Sequence, residues 1–201
     1  MKELIVATKN KGKVRELQDL LAPFDIQVLS LLDLPQAPEI VEDGNTFRAN
    51  AAKKAVTIAL ATGKPVMGED SGLEVDALGG RPGVHSARYS DPGATDEKNN
   101  DKLLVELSGV SLEKRTARYR CAIAFADKDG LVDVVEGACE GLIATGRRGT
   151  NGFGYDPLFY IPQYQKTFGE LPLSVKQGMS HRAQACRQFL KLLEKYLASK
   201  S

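Results

Sequence analysis

Short apolar runs and helix-spaced apolar residues alternate along the first third of the chain. Leu4–Ala7 is a continuous apolar run of the kind that forms a buried strand, and a polar turn follows it. A helix is predicted next, and Pro23 ends it. Its apolar residues recur at helical spacing and are Val14, Leu17, Leu20 and Leu21. A second strand is predicted over Ile26–Leu31, and a loop containing Pro35 and Pro38 follows it.

A second helix is predicted to begin at an N-cap supplied by Asn45 or Thr46 and to end where Gly63 precedes Pro65. This segment carries one apolar stripe, which faces a core. The stripe consists of Phe47, Ala51, Ala55, Ile58 and Ala59.

Two short strands and a third helix are predicted next. Val66-Met67 reads as a buried strand that runs into the polar segment 68–72. Apolar and acidic residues alternate over Leu73–Ala77, which predicts a separate, half-exposed strand. The third helix is expected near Asp96–Leu107.

The middle of the chain has the pattern of an antiparallel hairpin. Alternation over Thr116–Phe125 predicts one strand, Asp127–Gly130 is a hairpin turn, and Leu131–Ile143 is the returning strand. A glycine-rich loop at 146–154 precedes a last helix over His181–Leu197.

Strands that alternate with helices, joined to a hairpin, predict one α/β domain over residues 1–201, with a mixed sheet in two lobes around a cleft. Length and composition agree with this prediction. A chain of 201 residues, 42% hydrophobic and 26% charged, can bury a full core without disulfides or metals.

Charge and composition exclude several classes of protein. The formal net charge of +1 lacks the basic excess that broad binding to a nucleic-acid backbone needs. The longest charge-free runs, Ala55–Gly63 and Pro157–Gln165, are too short for a membrane helix, and the run at 4–7 is too short for a signal peptide. Three cysteines without a CxxC pair and two histidines exclude a disulfide framework and a Cys-rich or three-His zinc site. We expect a cytoplasmic protein without nucleic-acid or membrane partners.

The polar turn after the first strand is a candidate phosphate site. It lies between a buried strand and a helix start, where free backbone amides and the helix dipole favour an anion. Lys13 adds a full positive charge, although the pattern is not a Walker A loop. A solvated, lysine-rich surface turn explains the same residues equally well. The candidates are Thr8, Lys9, Asn10, Lys11, Gly12 and Lys13.

Two adjacent acids form a candidate metal and catalytic site. Glu69 and Asp70 follow an apolar strand, where α/β sheets usually bind ligands, although an acidic turn closing the strand is the alternative. Carboxylate oxygens suit Mg²⁺, and a carboxylate beside a metal-bound water can act as a base. Glu42 could be a further ligand, but on its own it is better explained as an acid that favours a helix dipole.

Two segments near the end of the chain are candidates for binding a base. Phe153 lies between Gly152 and Gly154, which leave its ring accessible for stacking, although a lone Phe more often packs onto the core. Lys176 and the segment 180–182 offer hydrogen-bond donors, although a first helical turn that faces solvent explains 181–182 as well.

Six segments in this order are far more specific than any one of them. They are Ala7–Glu16, Glu42–Phe47, Glu69–Leu73, Pro82–Arg88, Gly152–Pro157 and Ser180–Arg182. With them the chain closely resembles the inosine triphosphate pyrophosphatase family, especially its bacterial dITP/XTP pyrophosphatases, over essentially its whole length. The resemblance implies an elongated mixed sheet flanked by helices. It also implies a Mg²⁺-dependent homodimer that hydrolyses ITP, dITP and XTP to the monophosphate and pyrophosphate.

The resemblance further implies a role for each candidate residue. Residues 8–13 would hold the triphosphate, and Ser71 would contact the substrate. Glu42 and Asp70 would hold the metal with Glu69 close by, and Asp70 would accept a proton from the attacking water. Glu69 departs from the many bacterial members that have Asp there. The residues around the base would be Phe153, Gly154, Tyr155, Asp156, Lys176, His181 and Arg182.

Two other functions stay open at the level of sequence. One is a non-catalytic nucleotide-binding protein, which would gain nothing from the acid pair. The other is a pyrophosphatase for pyrimidine or methylated nucleotides, as in the similar Maf-type enzymes. The Phe153 loop and the segment 180–182 favour a purine over that alternative.

Overall fold

The computed structural model describes residues 3–24 and 26–199, which form strands, α-helices and short 3₁₀ turns. The strands are β1 (Glu3–Val6), β2 (Gln27–Ser30), β3 (Val66–Val75), β4 (Thr116–Asp127), β5 (Gly130–Ile143), β6 (Phe159–Ile161) and β7 (Lys166–Thr167). The helices are α1 (Lys11–Leu21), α2 (Phe47–Thr62), α3 (Asp96–Glu106), α4 (Leu173–Met179) and α5 (His181–Ser199).

The strands form one mixed sheet in the order β2-β1-β3-β4-β5-β6-β7. β1 runs parallel to β2 and β3, and α1 and α2 lie in the crossover connections that parallel strands require. β6 pairs antiparallel with both β5 and β7. Only Lys128 and Asp129 separate β4 from β5, as the predicted hairpin requires. The predicted α/β class with a mixed sheet is confirmed.

The chain divides into two compact units, each with its own apolar core. The first unit consists of Met1–Asp70, Cys121–Gly137 and Arg182–Ser201, and the second of Ser71–Arg120 and Ala138–His181. The core of the first unit includes Leu4, Leu17, Met67, Phe125, Phe189 and Leu193. The core of the second unit includes Leu73, Leu103, Tyr119, Phe159, Phe168 and Leu171. The cleft expected from the sequence stays a prediction.

The predicted helices of the first unit form close to their expected ends. Thr46 rather than Asn45 caps α2, since its side chain accepts a hydrogen bond from the Ala49 amide. Gly63 ends α2 in the left-handed conformation, with φ 66°. The whole predicted stripe of α2 is buried. In α1, Leu17 is buried as expected, whereas the side chain of Leu20 lies outside the described part of the structure.

β3 is one continuous strand of ten residues, and the predicted break at residues 68–72 is wrong. Gly68 looked like part of a turn, but its lack of a side chain serves packing instead. A Cβ there would lie 2.2 Å from the Ala51 oxygen and 2.7 Å from the Ala55 nitrogen of α2. β3 therefore runs close against α2, and the polar residues 69–71 are part of the strand. The strand also ends before Ala77, which belongs to a 3₁₀ turn.

The elements that the sequence did not predict are short. They are β6, β7 and α4, of three, two and seven residues. Among the described residues, no helix is both long enough and apolar enough to span a membrane.

Candidate functional site

The polar turn lies where the sequence placed it, between β1 and α1. Asn10 caps α1, because its side-chain oxygen accepts a hydrogen bond from the Lys13 amide at 3.1 Å. Thr8 Oγ1 accepts from the Asn10 amide at 3.2 Å. Lys9, Asn10, Lys11 and Gly12 are exposed, which leaves the start of α1 accessible to an anion.

Lys13 is the part of this turn that points toward the acid pair. Its Nζ lies 3.1 Å from Glu69 Oε2, and its side chain is mostly buried. Glu69 itself has no exposed surface, and its Oε1 also lies 3.3 Å from an Arg182 nitrogen and 3.4 Å from the Cys121 sulfur. Arg182 forms a further ion pair with Glu16. Two cations and two anions thus form one buried network in the first unit.

Asp70, the next residue of β3, has different neighbours. Successive side chains of a strand point to opposite faces, and Asp70 meets α2. Asn50 Nδ2 donates to its Oδ2 at 3.1 Å, and Lys54 Nζ lies 3.3 Å from its Oδ1. Asn50 and Lys54 are themselves buried and one helical turn apart. The two acids, adjacent in sequence, therefore have separate environments.

Lys54 joins Asp70 to Glu42. Its Nζ lies 2.7 Å from Glu42 Oε2, so both carboxylates share one ammonium group. Asn50 ties the same segment down, since its Oδ1 accepts from the Gly44 amide at 2.8 Å. The sequence did not predict Asn50 or Lys54. The sequence nevertheless contains a pattern that could have indicated them. Asn50 and Lys54 are polar, lie four residues apart, and directly precede Ala51 and Ala55 of the apolar stripe of α2.

Burial affects the ionisation of both Asp70 and Lys54. It raises the pKa of Asp70 above the usual value, and the nearby charges of Lys54 and Lys13 and the Asn50 hydrogen bond only partly oppose it. Burial would also lower the pKa of Lys54, but the carboxylates of Asp70 and Glu42 outweigh it, so the lysine pKa is raised. Lys54 therefore stays charged, while Asp70 accepts a proton more readily than an exposed aspartate.

The carboxylates fit a divalent cation in part. Within residues 3–24 and 26–199, no group of three or more His, Cys, Asp or Glu side chains is arranged to hold a metal. Glu42 and Asp70 nevertheless converge on one cationic atom, Lys54 Nζ. Two carboxylates completed by substrate oxygens form a donor set that Mg²⁺ accepts. Glu69 is engaged with Lys13 and Arg182 instead.

In the second unit, the candidates for base binding form a second cluster. Asp156 Oδ2 accepts from the Phe153 amide at 3.0 Å and lies 2.7 Å from Lys176 Nζ. The same Nζ lies 4.8 Å from the centre of the Phe153 ring. Asp156 and Lys176 are buried, whereas Phe153 is partly exposed. This places a partly exposed aromatic face beside a buried donor.

Two further candidates of this unit are packed more deeply. The ring of His181 stacks on Tyr119 with centroids 4.7 Å apart, and the Tyr119 hydroxyl donates to Asp156 Oδ1 at 3.4 Å. Tyr155 is buried, and its hydroxyl donates to the Ser86 carbonyl at 2.8 Å. Tyr119, which the sequence did not single out, thus links His181 to Asp156.

Ser71, Gly154 and Arg182 complete the predicted set. Ser71 is half-buried in β3, and Gly154 follows Phe153 in its turn with φ 61°. The guanidinium group of Arg182 is fully buried with Glu16 and Glu69. Contact of these residues with a substrate stays a prediction.

Comparisons with known proteins agree with the fold. Residues 4–192 match the model of the Ham1 family. The chain is 49% identical over 193 residues to a dITP/XTP pyrophosphatase of Desulforamulus reducens, covering 96% of each chain. It is 52% identical over 185 residues to a dITP/XTP pyrophosphatase of Geobacillus kaustophilus, covering 92% of this chain and 91% of the relative.

Solved structures give the same result. A HAM1 protein from Coxiella burnetii superposes with a TM-score of 0.88 at 38% identity, over 97% of this chain and all of that chain. The Staphylococcus aureus Ham1 protein superposes with a TM-score of 0.85 at 38% identity, over the whole of both chains. With the family model spanning nearly its whole length and curated relatives at about half identity, the chain belongs to the Ham1 family.

Proposed function

We propose that this protein hydrolyses non-standard purine nucleoside triphosphates, namely ITP, dITP and XTP, to the monophosphate and pyrophosphate. The observation that carries the proposal is Asp70, a buried acid with a raised pKa between Asn50 and Lys54. The names of the relatives that share about half of its residues support the same reaction.

The triphosphate would be bound by the start of α1. The exposed residues 9–12 offer backbone amides to a phosphate, and Thr8 and Lys13 add a hydroxyl and a positive charge. Glu42 and Asp70 would hold Mg²⁺ together with phosphate oxygens, and Glu69 would lie nearby. When bound, Mg²⁺ supplies positive charge that neutralises the departing pyrophosphate.

Asp70 would act as the general base. The oxygen of a water molecule forms a bond to the α-phosphorus while the bond from that phosphorus to the α–β bridging oxygen breaks. Asp70 takes the proton of the water, and the bridging oxygen leaves with pyrophosphate. Lys54 and Asn50 fix the orientation of the carboxylate.

Most of the residues proposed to bind the base belong to the second unit. Phe153 would stack on the purine, with Gly154, Tyr155, Asp156, Lys176 and His181 around it and Arg182 as a further donor. Hypoxanthine, xanthine and guanine carry an acceptor oxygen at position 6, whereas adenine carries a donor. Lys and Arg side chains only donate, so they accept a 6-keto purine and reject adenine. Close packing or a donor at position 2 would exclude the amino group of guanine.

Three finer points belong to the same proposal. The protein would work as a homodimer, in the cytoplasm, and without a nucleic-acid partner. The resemblance of its motifs to the inosine triphosphate pyrophosphatases supports the first point. The small net charge of +1 supports the last.

A panel of nucleoside triphosphates with Mg²⁺ tests the function, with monophosphate and pyrophosphate separated by anion exchange. We expect both products from ITP, dITP and XTP. Binding without product would support the non-catalytic alternative. Preference for pyrimidine or methylated nucleotides would support the Maf-like alternative.

A further inference from the structure

The turn that carries Phe153 has little conformational preference of its own. Gly152 and Gly154 both have positive φ, and glycine loses more freedom on folding than any other residue. Gly152 is fixed by close packing, since a Cβ there would lie 1.9 Å from Asp156 Oδ2. Among the described residues, nothing lies within 4 Å of a Cβ built on Gly154. Close packing of the kind that surrounds Gly152 is therefore absent on the side-chain side of Gly154 among the described residues, and its backbone groups are held by hydrogen bonds.

α3 supplies these hydrogen bonds from two side chains. Asp96 Oδ2 accepts from the Gly154 amide at 2.7 Å, and Asn100 Nδ2 donates to the Gly154 carbonyl at 2.9 Å. Asp96 and Asn100 lie four residues apart and so on one face of the helix. Asn100 Nδ2 also donates to the Asp96 carbonyl at 2.7 Å, which fixes the direction of its amide. Both backbone groups of Gly154 are thus held by α3.

The helix that holds Gly154 is itself anchored. Asn99, the neighbour of Asn100, is buried, and its Oδ1 accepts from the Ser90 amide at 2.8 Å. Its Nδ2 donates to the carbonyls of Ser86 and Ala87 at 3.3 and 3.1 Å. α3 is therefore a fixed support for the turn at Gly154.

Folding alone does not explain an asparagine at position 100. Asn100 is 3% exposed, and its side-chain Oδ1 has no hydrogen-bond partner among the described residues. A buried acceptor without a partner costs stability, whereas an apolar residue of similar size avoids that cost. The benefit of Asn100 therefore comes from its Nδ2, which reaches Gly154.

We propose that Asp96 and Asn100 are positioning residues that order the turn 152–154 before substrate binds and so set recognition of the base. This inference rests on the proposed stacking of Phe153 on the purine. A turn that is ordered in advance does not lose its freedom on binding, so affinity for the base rises. We call Asp96 and Asn100 the clamp. Binding of the phosphates, which do not contact this turn in the proposal, does not depend on the clamp.

Two variants with matched controls test the clamp in the full-length protein. Asn100→Leu keeps a similar size but removes the donor, and Asp96→Ala removes the other hydrogen bond. Glu97→Ala and Val105→Ala change exposed side chains of α3 and serve as controls, since Arg147 contacts Glu97 only through its backbone carbonyl. Asp96→Asn keeps an acceptor oxygen and should restore the behaviour of the unaltered protein.

The first measurement compares a substrate with a base and a ligand without one. We expect both clamp variants to raise KM for ITP roughly three- to tenfold, the effect of one or two hydrogen bonds. The inhibition constant of inorganic tripolyphosphate should stay unchanged, and the controls should alter neither value. Equal changes for ITP and tripolyphosphate, or no change for ITP, would overturn the proposal.

The second measurement does not depend on activity. Hydrogen–deuterium exchange should become faster in peptides spanning residues 150–157 in both clamp variants, but not in the controls. Unchanged exchange would overturn the clamp even if KM rises. Absence of ITP hydrolysis by the unaltered protein would instead refute the proposed function, and the exchange data would still decide the clamp.

Discussion

Asp70 is held between Asn50 and Lys54, and its replacement tests the proposed proton transfer most directly. Asp70→Asn keeps the shape but removes the base and a metal-binding charge. We expect the rate of ITP hydrolysis to fall at least ~10²-fold, the usual scale for a general base, while ITP binding measured by calorimetry survives in part. Asp43→Asn is the control, because Asp43 is an exposed acid that pairs with Lys53. Near-normal turnover of Asp70→Asn would refute the assignment.

The raised pKa of Asp70 also has a consequence for stability. An acid whose pKa is higher in the folded protein binds protons there that the unfolded chain has released. Its contribution to the free energy of unfolding is full below the usual value of 3.8 and is lost as pH rises through the raised pKa. We expect the free energy of unfolding of the unaltered, metal-free protein minus that of Asp70→Asn, both measured in urea with a chelator, to fall as pH rises over that window. Acids with a lowered pKa are present in both proteins and cancel in this difference. A difference that does not change with pH would contradict the raised pKa.

Lys13 offers a separate test of the phosphate site. Its Nζ faces Glu69 and its amide belongs to the cap of α1, so its removal takes one cation from the start of the helix. We expect Lys13→Ala to weaken hydrolysis of every triphosphate by a similar factor, because phosphates carry no information about the base. The check is kcat/KM for ITP, XTP and ATP. A changed base preference with an unchanged overall rate would show that Lys13 does not bind phosphate.

The candidate site residues are visible in the sequence as local patterns, whereas the residues that support them are not. Adjacent acids and a lysine-rich turn are visible as local patterns, and the structure places Glu69 beside Lys13. Asn50 and Lys54 appear in the sequence only as polar residues of a helix. Their contact with Asp70 depends on how α2 packs against β3, which no local pattern specifies.

At the scale of elements, the contact between β3 and α2 decides where Asp70 lies. The strand can approach the helix because Gly68 has no side chain, and a Cβ there would meet backbone atoms of Ala51 and Ala55. A rotamer change cannot relieve a clash with backbone, so the helix must move. We expect Gly68→Ala to lower the free energy of unfolding by about 1–3 kcal/mol and to reduce activity.

A glycine in an open position provides the control for this prediction. A Cβ on Gly178 of α4 has no neighbour within 4 Å among the described residues. Alanine loses less freedom than glycine in a helix, so Gly178→Ala should raise stability by about 0.5–1 kcal/mol. Both values follow from urea unfolding. Equal effects of the two substitutions would show that the approach of β3 to α2 is not tight.

β3 also shows where sequence patterns fail at this scale. Gly68 and Gly72 bracket three polar residues, and that composition is typical of a turn. Inside the sheet the same residues have partners, since Lys13 and Arg182 meet Glu69, and Lys54 meets Asp70. Paired polar groups can stay in a buried strand, so composition alone predicted a break that tertiary contacts remove.

At the scale of the whole molecule, the alternation of strands and helices was sufficient to predict the fold class. Parallel strands β1, β2 and β3 follow from the helices that separate them, and the hairpin of β4 and β5 follows from its two-residue turn. The strands β6 and β7 have three and two residues, too few to produce a period. Their place at the sheet edge depends on long-range pairing.

The proposed selection of the base belongs to this scale, because the proposal assigns the phosphates and the base to different segments of the chain. A pocket built from donors should favour ITP over ATP by ~10⁴-fold, since adenine would leave a donor facing a donor. Arg182 is the donor whose role the structure makes most testable. Its guanidinium group is buried with Glu16 and Glu69, so removing it has an electrostatic cost as well as any effect on the base.

Glu16→Ala separates these two effects of Arg182→Ala. Both variants break the ion pair between Glu16 and Arg182, and both should lower the free energy of unfolding, with Arg182→Ala costing more because it leaves Glu69 short of a cation. Only Arg182→Ala should narrow the ratio of kcat/KM for ITP to that for ATP, mainly through loss of ITP hydrolysis. The measurement is that ratio at a temperature where all three proteins are folded. If Glu16→Ala narrows the ratio equally, Arg182 acts through the buried network and not on the base. If the unaltered protein hydrolyses ATP and GTP as efficiently as ITP, the proposal that donors select the base is wrong.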